Sequence, residues 1–292
     1  MIIVTFADKG YEPYAKNLYE SFKVKKDFFT QDKFVFYGLN YTPELKGENL
    51  YNYKFNTYKK LPRLNFWKPR ILIDLLSKFP EEDNFCFIDA DVLVGKRLDF
   101  DKLLEGKTFN YPLSPSHNTY EIPFCWTQYP NGTTIHHTTN GLCEYFNIPV
   151  RAHISPQTYI EGNSCHYTQT CLILYNRSHL NFLLEWASMC EYEFLWGSNS
   201  LINYPYQDET AFNTLLWKYK STETLDPVYV NVHTFEAYKK GEETLQLTQQ
   251  NLIEGHDWSY VYNINDLMLY HGYKENTEPK KILNYINENL PS

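Results

Sequence analysis

The stretch Phe85-Cys86-Phe87-Ile88-Asp89-Ala90-Asp91 constrains the fold of this chain more than any other. Four apolar residues in a row, without polar alternation, suit a strand covered on both faces, as in the centre of an α/β sheet. The run stops abruptly at two carboxylates. In open α/β sheets, ligands bind beyond the carboxyl ends of the strands. Residues i and i+2 leaving a strand project to the same side, so Asp89 and Asp91 repel each other unless a cation lies between them.

Elements that would surround such a strand follow in alternation. Ile2 to Phe6 is a short apolar run, broken by Ala7-Asp8-Lys9-Gly10. Pro13 suits a first helical turn, and Ala15, Leu18 and Phe22 follow at helical spacing. Phe34 to Tyr37 reads as a second strand. Pro69 opens a helix carrying Ile71, Leu72, Leu75 and Leu76. This order predicts a Rossmann-like parallel sheet. Thr170 to Tyr175 reads as a further strand, and Leu180, Leu183, Leu184, Ala187 and Cys190 as the face of the next helix. Asp208 is placed to cap a helix holding Phe212, Leu215, Leu216 and Tyr219. Val228 to Val232 and Leu267 to Tyr270 read as late strands, and Pro279 as the start of a final helix. The 292 residues suffice for one large domain, and no boundary interrupts them.

Residues 111–163 differ in character. They hold six Pro, eight aromatics and four of the nine His, but only four charges, Glu121, Glu144, Arg151 and Glu161. Linkers are not this aromatic, so long loops with short strands are expected. Rings such as Tyr120, Trp126 and Tyr129 could wall an acceptor site or be ordinary buried pegs.

Several function classes are disfavoured. A net charge of −8 argues against nonspecific nucleic-acid binding. No apolar run approaches the roughly 20 residues that span a bilayer. Met1 to Phe6 has no basic n-region and reads as a strand rather than a signal peptide. The six Cys form no C-x-x-C pair, so a reduced, cytoplasmic chain is expected.

An Asp-x-Asp tripeptide is weak by itself. With 13 Asp in the chain, about 0.6 are expected by chance, and Asp99-Phe100-Asp101 is a built-in decoy. Position at the end of a buried strand sets Asp89 and Asp91 apart. Hard oxygen ligands there suit Mg²⁺ or Mn²⁺; the alternative is a polar strand exit. His271, before Gly272-Tyr273-Lys274, could project into a cleft or be structural.

Together these segments resemble the GT-A fold glycosyltransferases, especially glycosyltransferase family 8. Phe85 to Val94 is similar to that family's strand and D-x-D. Val4-Thr5-Phe6-Ala7 with Tyr14-Ala15-Lys16 resembles its nucleotide-binding first strand and turn. Trp67-Lys68-Pro69-Arg70, Gln207-Asp208-Glu209 with Asn213, and His271-Gly272-Tyr273-Lys274 are further matches in the family's order. Here Gly follows His271 directly and no Pro-Trp follows Lys274. The segment after the D-x-D is the aromatic stretch 111–163.

The resemblance implies a single GT-A domain over 1–292 with a mixed central sheet, residues 1–110 binding a nucleotide sugar and 111–292 facing a carbohydrate acceptor. It implies Mn²⁺ or Mg²⁺ held by Asp91 and His271, with Asp89 on the ribose and near the metal. Thr5 and Ala7 would meet the base, with Tyr14 beside it. Lys68 and Lys274 would neutralise diphosphate charge, and the donor would be a UDP-sugar. Asp208 would lie near the sugar or the acceptor hydroxyl. Two other readings stand beside this one: a sugar-phosphate nucleotidyltransferase, whose usual Gly-rich basic loop is absent after the first strand, and an inactive GT-A-like carbohydrate-binding protein.

Overall fold

A computed structural model describes residues 1–24, 32–61, 63–94, 103–115, 147, 168–192, 208–221 and 223–225, and the strand segments 127–128, 134–135, 158–160, 163–165, 230–232, 244–250, 257–263 and 269–271. Among these, no helix is long and apolar enough to cross a membrane.

The first half builds a sheet. Strand β1 (Ile2–Ala7) leads into helix α1 (Glu12–Val24), then β2 (Lys33–Leu39), β3 (Leu50–Phe55), α2 (Lys68–Lys78) and β4 (Asn84–Ile88). A short β5 (Val92–Val94) follows the Asp89-Ala90-Asp91 turn. Four small strands come next: β6 (Thr127–Gln128), β7 (Thr134–Ile135), β8 (Thr158–Ile160) and β9 (Asn163–Cys165). They pair as two antiparallel ladders, β6 with β7 inside the aromatic stretch and β8 with β9 running past its end. Strand β10 (Leu172–Asn176) precedes helices α3 (Leu180–Glu191) and α4 (Asp208–Lys218), then β11 (Val230–Val232), β12 (Thr244–Gln250), β13 (Asp257–Asn263) and β14 (Leu269–His271).

The main sheet has the order β10-β4-β1-β2-β3. Strands β4, β1, β2 and β3 run parallel, and β10 is antiparallel to β4. The sheet is therefore mixed, as the resemblance implied, and β10 corrects the all-parallel expectation drawn from the alternation of elements. Alternation along β1 splits the core in two. Ile2, Val4 and Phe6 join one cluster with Phe85, Phe87 and the inner faces of α2, α3 and α4. Ile3 and Ala7 join the other with Cys86, Ile88 and the α1 residues Ala15, Leu18 and Phe22. The uninterrupted run 85–88 follows directly: both faces of β4 are covered, so neither has room for a polar side chain.

Two readings are corrected. Strand β3 carried no expectation, because Leu-Tyr-Asn-Tyr-Lys-Phe lacks the apolar run of its neighbours. It is the edge strand, half exposed, and one face is enough to hold it. On α3, Leu180 and Leu184 are exposed, while Phe182, Trp186 and Met189 are buried with Leu183, Ala187 and Cys190. The helix is turned by about one residue, 100°, so that its largest rings enter the core. Of the late strands, Val230–Val232 and Leu269–His271 are described, the second ending on His271 itself, and residues 228–229 and 267–268 lie outside the described residues. The predicted helix after Pro279 lies outside the described residues.

Candidate active site

The parallel strands bring their carboxyl ends together beside the Asp89 turn. Register pairs Val4 with Phe87; carried on two residues, it brings Phe6 level with Asp89. Thr5 and Ala7 sit in the last half of β1, opposite Phe36 and Gly38 of β2. Gly38 cannot be replaced freely, since a Cβ there would stand 2.5 Å from the Tyr41 carbonyl oxygen. Tyr14, half-buried in the first turn of α1, lies with its ring 5.3 Å from that of Tyr11. The loop before it is closed by Tyr11 N donating to Asp8 Oδ1 at 2.9 Å.

The centre of the site is a buried ammonium. Lys68 opens α2 and is 1% exposed. Its Nζ lies 3.2 Å from Asp89 Oδ1 and 3.0 Å from Asp208 Oδ2. It donates to the Thr170 carbonyl at 3.0 Å and to Thr170 Oγ1 at 3.3 Å, and stands 4.8 Å above the Phe87 ring. Burial alone would push the ammonium pKa down, but Asp208 and then Asp89 outweigh it and hold Lys68 above the ordinary lysine value. Lys68 is thus charged, and it ties the first carboxylate of the D-x-D to one about 120 residues later in the chain.

Asp208 is 3% exposed. Its Oδ2 accepts from Thr170 Oγ1 at 3.2 Å, and its backbone carbonyl accepts from Trp186 Nε1 at 2.8 Å. Neighbouring residues stitch the start of α4 to the segment that leads into strand β10. Thr170 N donates to Glu209 Oε2 at 3.1 Å, and Asn213 Oδ1 accepts from Thr168 N at 2.8 Å. That strand is antiparallel to β4, so its beginning meets the carboxyl end of β4: Asp89 N donates to the Cys171 carbonyl at 2.9 Å. Burial, then Asp89, pushes the Cys171 thiol well above its ordinary pKa, so it stays protonated.

Asp91 is buried, and Val92 N closes the turn on the Asp89 carbonyl at 3.2 Å. Strand β14 pairs antiparallel with β5, and His271 stands opposite Val92. Residues 180 positions apart thereby meet within one residue of Asp91. Of His271 the backbone is described. Lys274 lies outside the described residues, as do Gln207 and the decoy Asp99 and Asp101. Among the described residues, no three His, Cys, Asp or Glu side chains gather into a metal site. Asp89 and Asp91 are the described residues whose carboxylate oxygens could hold Mg²⁺ or Mn²⁺, cations that prefer hard oxygen ligands.

Thr170 was missed in the sequence, although it ties Lys68, Asp208 and Glu209 together. The available signal was the polar triplet Thr168-Gln169-Thr170 leading into an apolar strand. Two buried polar atoms nearby, Thr5 Oγ1 and Gln169 Nε2, have no hydrogen-bond partner among the described residues. Such atoms cost about 1–3 kcal/mol each unless a ligand or water supplies the bond.

No protein-family model matches the chain, and no curated protein matches it in sequence. Solved structures do match. A glycosyltransferase involved in the glycosylation of the major capsid of PBCV-1 aligns with a TM-score of 0.47 and 12% identity over 99% of this chain and 100% of that one. The galactosyltransferase LgtC, solved in complex with donor and acceptor sugar analogs, aligns with a TM-score of 0.54 and 14% identity over 99% of this chain and 96% of that one. At that identity the likeness to LgtC is one of fold, and the chain has the mixed α/β architecture that its GT-A resemblance implied.

Proposed function

We propose that this protein is a metal-dependent glycosyltransferase that moves a sugar from a nucleotide sugar, with UDP as the nucleotide, to a hydroxyl of a carbohydrate acceptor. The observation that carries this reading is the link from Asp89 through Lys68 to Asp208, built at the carboxyl ends of a sheet whose fold is shared with a galactosyltransferase. The site draws Lys68 and Asp89 from residues 1–110 and Thr170 and Asp208 from 111–292, which supports one domain rather than two.

In this reading Asp91 and His271 hold Mn²⁺ or Mg²⁺, with Asp89 beside them. When bound, the cation would stabilise the charge that develops on the departing nucleoside diphosphate. Lys274 adds a second positive charge for that leaving group. Thr5 and Ala7 meet the base and Tyr14 lies against it; the unpartnered Thr5 hydroxyl supports a ligand at this end of β1. Lys68 is already shared by two carboxylates, so it acts on the diphosphate from behind them and orients Asp89 and Asp208. Asp208 faces the transferred sugar or the acceptor hydroxyl. Incubation with a panel of nucleotide sugars and Mn²⁺, following nucleoside diphosphate release, tests the proposal. Release from one nucleotide sugar, raised by a carbohydrate acceptor, is the expected result; no release from any of them overturns it.

A further inference from the structure

Helix α2 has a second face that the site above does not use. Lys68 points into the sheet. Two residues on, about 200° around the helix, Arg70 lines a groove of about 490 Å³ between α2 and the end of the edge strand β3. That volume is in the range of small-molecule sites.

The lining is chemically uneven. Lys54, Arg70 and Lys78 supply three positive charges against the single carboxylate of Asp74. The following loop adds the exposed Lys59, Lys60 and Arg63, all on a chain whose net charge is −8. Lys54 has no ion-pair partner among the described residues. Lys78 Nζ lies 3.5 Å from Asp74, whose carboxylate also accepts from Tyr37 Oη at 2.7 Å. Arg70 has five N–H donors, and its contact with Glu191 uses the one on Nε. The groove therefore keeps donor capacity and net positive charge.

Its aromatic wall is held rigid. Tyr58 is 61% exposed, yet its hydroxyl donates to Glu191 at 2.6 Å and its ring packs edge-on against Trp67 at 4.8 Å. Phe55 also packs against Trp67, its ring tilted and 5.7 Å away. An exposed ring fixed at both ends loses little entropy when something binds on it. Apolar ring faces beside cations and the polar Asn56 match a sugar ring that carries an anionic group: its C–H face packs on the rings, and its acid group pairs with Lys or Arg.

We propose that this groove is a subsite for an acidic saccharide, one bearing carboxylate or phosphate groups, and that it holds a remote part of the acceptor. Naming the acceptor rests on the glycosyltransferase reading; the binding itself does not. The groove and Lys68 lie on opposite flanks of one helix, about 10 Å across, so a chain of several sugars could reach from one to the other.

Calorimetric titration with tetragalacturonate and with galactose 6-phosphate tests it, with neutral cellotetraose and inorganic phosphate as controls. The acidic saccharides bind and the controls do not, binding weakens as salt is raised, and the acid group that binds identifies the substituent. Lys54→Ala with Lys78→Ala weakens binding roughly tenfold or more, and so does Ser77→Trp, which fills the groove without altering charge. Absence of binding by both acidic saccharides, equal binding of cellotetraose or inorganic phosphate, or unchanged affinity in both variants overturns the proposal. Nucleotide-sugar hydrolysis without acceptor, measured in parallel, stays at the wild-type rate in these variants. In the wild-type protein, hydrolysis without any binding of the acidic saccharides refutes the subsite alone, whereas binding without any hydrolysis refutes the transferase reading alone.

Discussion

Lys68 Nζ lies 3.0 Å from Asp208 Oδ2 in a pocket closed to solvent, and the same ammonium reaches Asp89 at 3.2 Å. Replacing one partner of a buried pair strands the other charge, at a cost of about 3–5 kcal/mol. Lys68→Met is expected to destabilise by about that amount. Lys68→Met with Asp208→Leu is expected to recover part of the loss without recovering turnover. Chemical denaturation of both variants checks this; equal stability of the single variant and wild type would show that the pair is inert.

Asp208→Asn removes the charge but keeps a side chain that can still accept from Thr170. Lys68 keeps Asp89, so the stability loss is expected to be about 1.5–3 kcal/mol, the range for a hydrogen bond to a charged group. If Asp208 also faces the reacting sugar, turnover falls at least about a hundredfold. Thermal melting and kcat are measured together. A destabilised variant with near wild-type kcat would make Asp208 a structural partner of Lys68 alone.

The metal assignment predicts that Asp91→Ala and His271→Ala each abolish turnover, that EDTA does the same, and that Mn²⁺ restores it. Asp99→Ala and Asp101→Ala are expected to be nearly silent. Full activity in EDTA would remove the metal from the proposal.

His179 predicts a pH dependence of stability. Its Nδ1 accepts from Asn176 N at 3.2 Å, and its Nε2 donates to the Phe109 carbonyl at 2.9 Å, so the ring is neutral in the fold. Burial lowers its pKa below the ordinary histidine value of 6.5, against a smaller raising effect from Phe109. The unfolded chain therefore takes up the proton first. The stabilisation is complete above about pH 6.5 and is lost as pH falls through the folded pKa. Urea midpoints between about pH 7.5 and 5.5 should fall in wild type and fall less in His179→Phe. Equal slopes would assign the effect to another group.

Much of the fold was legible along the chain. The uninterrupted run 85–88 required cover on both faces, and the two core clusters provide it. The helical spacing of Ala15, Leu18 and Phe22 is buried as read. Local rules failed where a segment needs only one buried face, as in β3, or where two apolar faces compete, as on α3. Propensity and period describe a residue's neighbours in sequence and do not say which face the core will take.

The sequence by itself determined the element types, the central strand and the two carboxylates at its end, because those depend on periodicity and on covalent spacing. Tertiary structure alone decided what the carboxylates meet. Strand β10 runs antiparallel beside β4 and brings the Cys171 carbonyl to Asp89 N; α4 starts where Trp186 Nε1 donates to the carbonyl of Asp208; β14 pairs with β5 and sets His271 opposite Val92. Each meeting joins residues far apart in the chain through sheet register and helix packing. No local pattern carries that information, so Lys68 could be read as a cation for a ligand but not as the charge that binds Asp89 to Asp208.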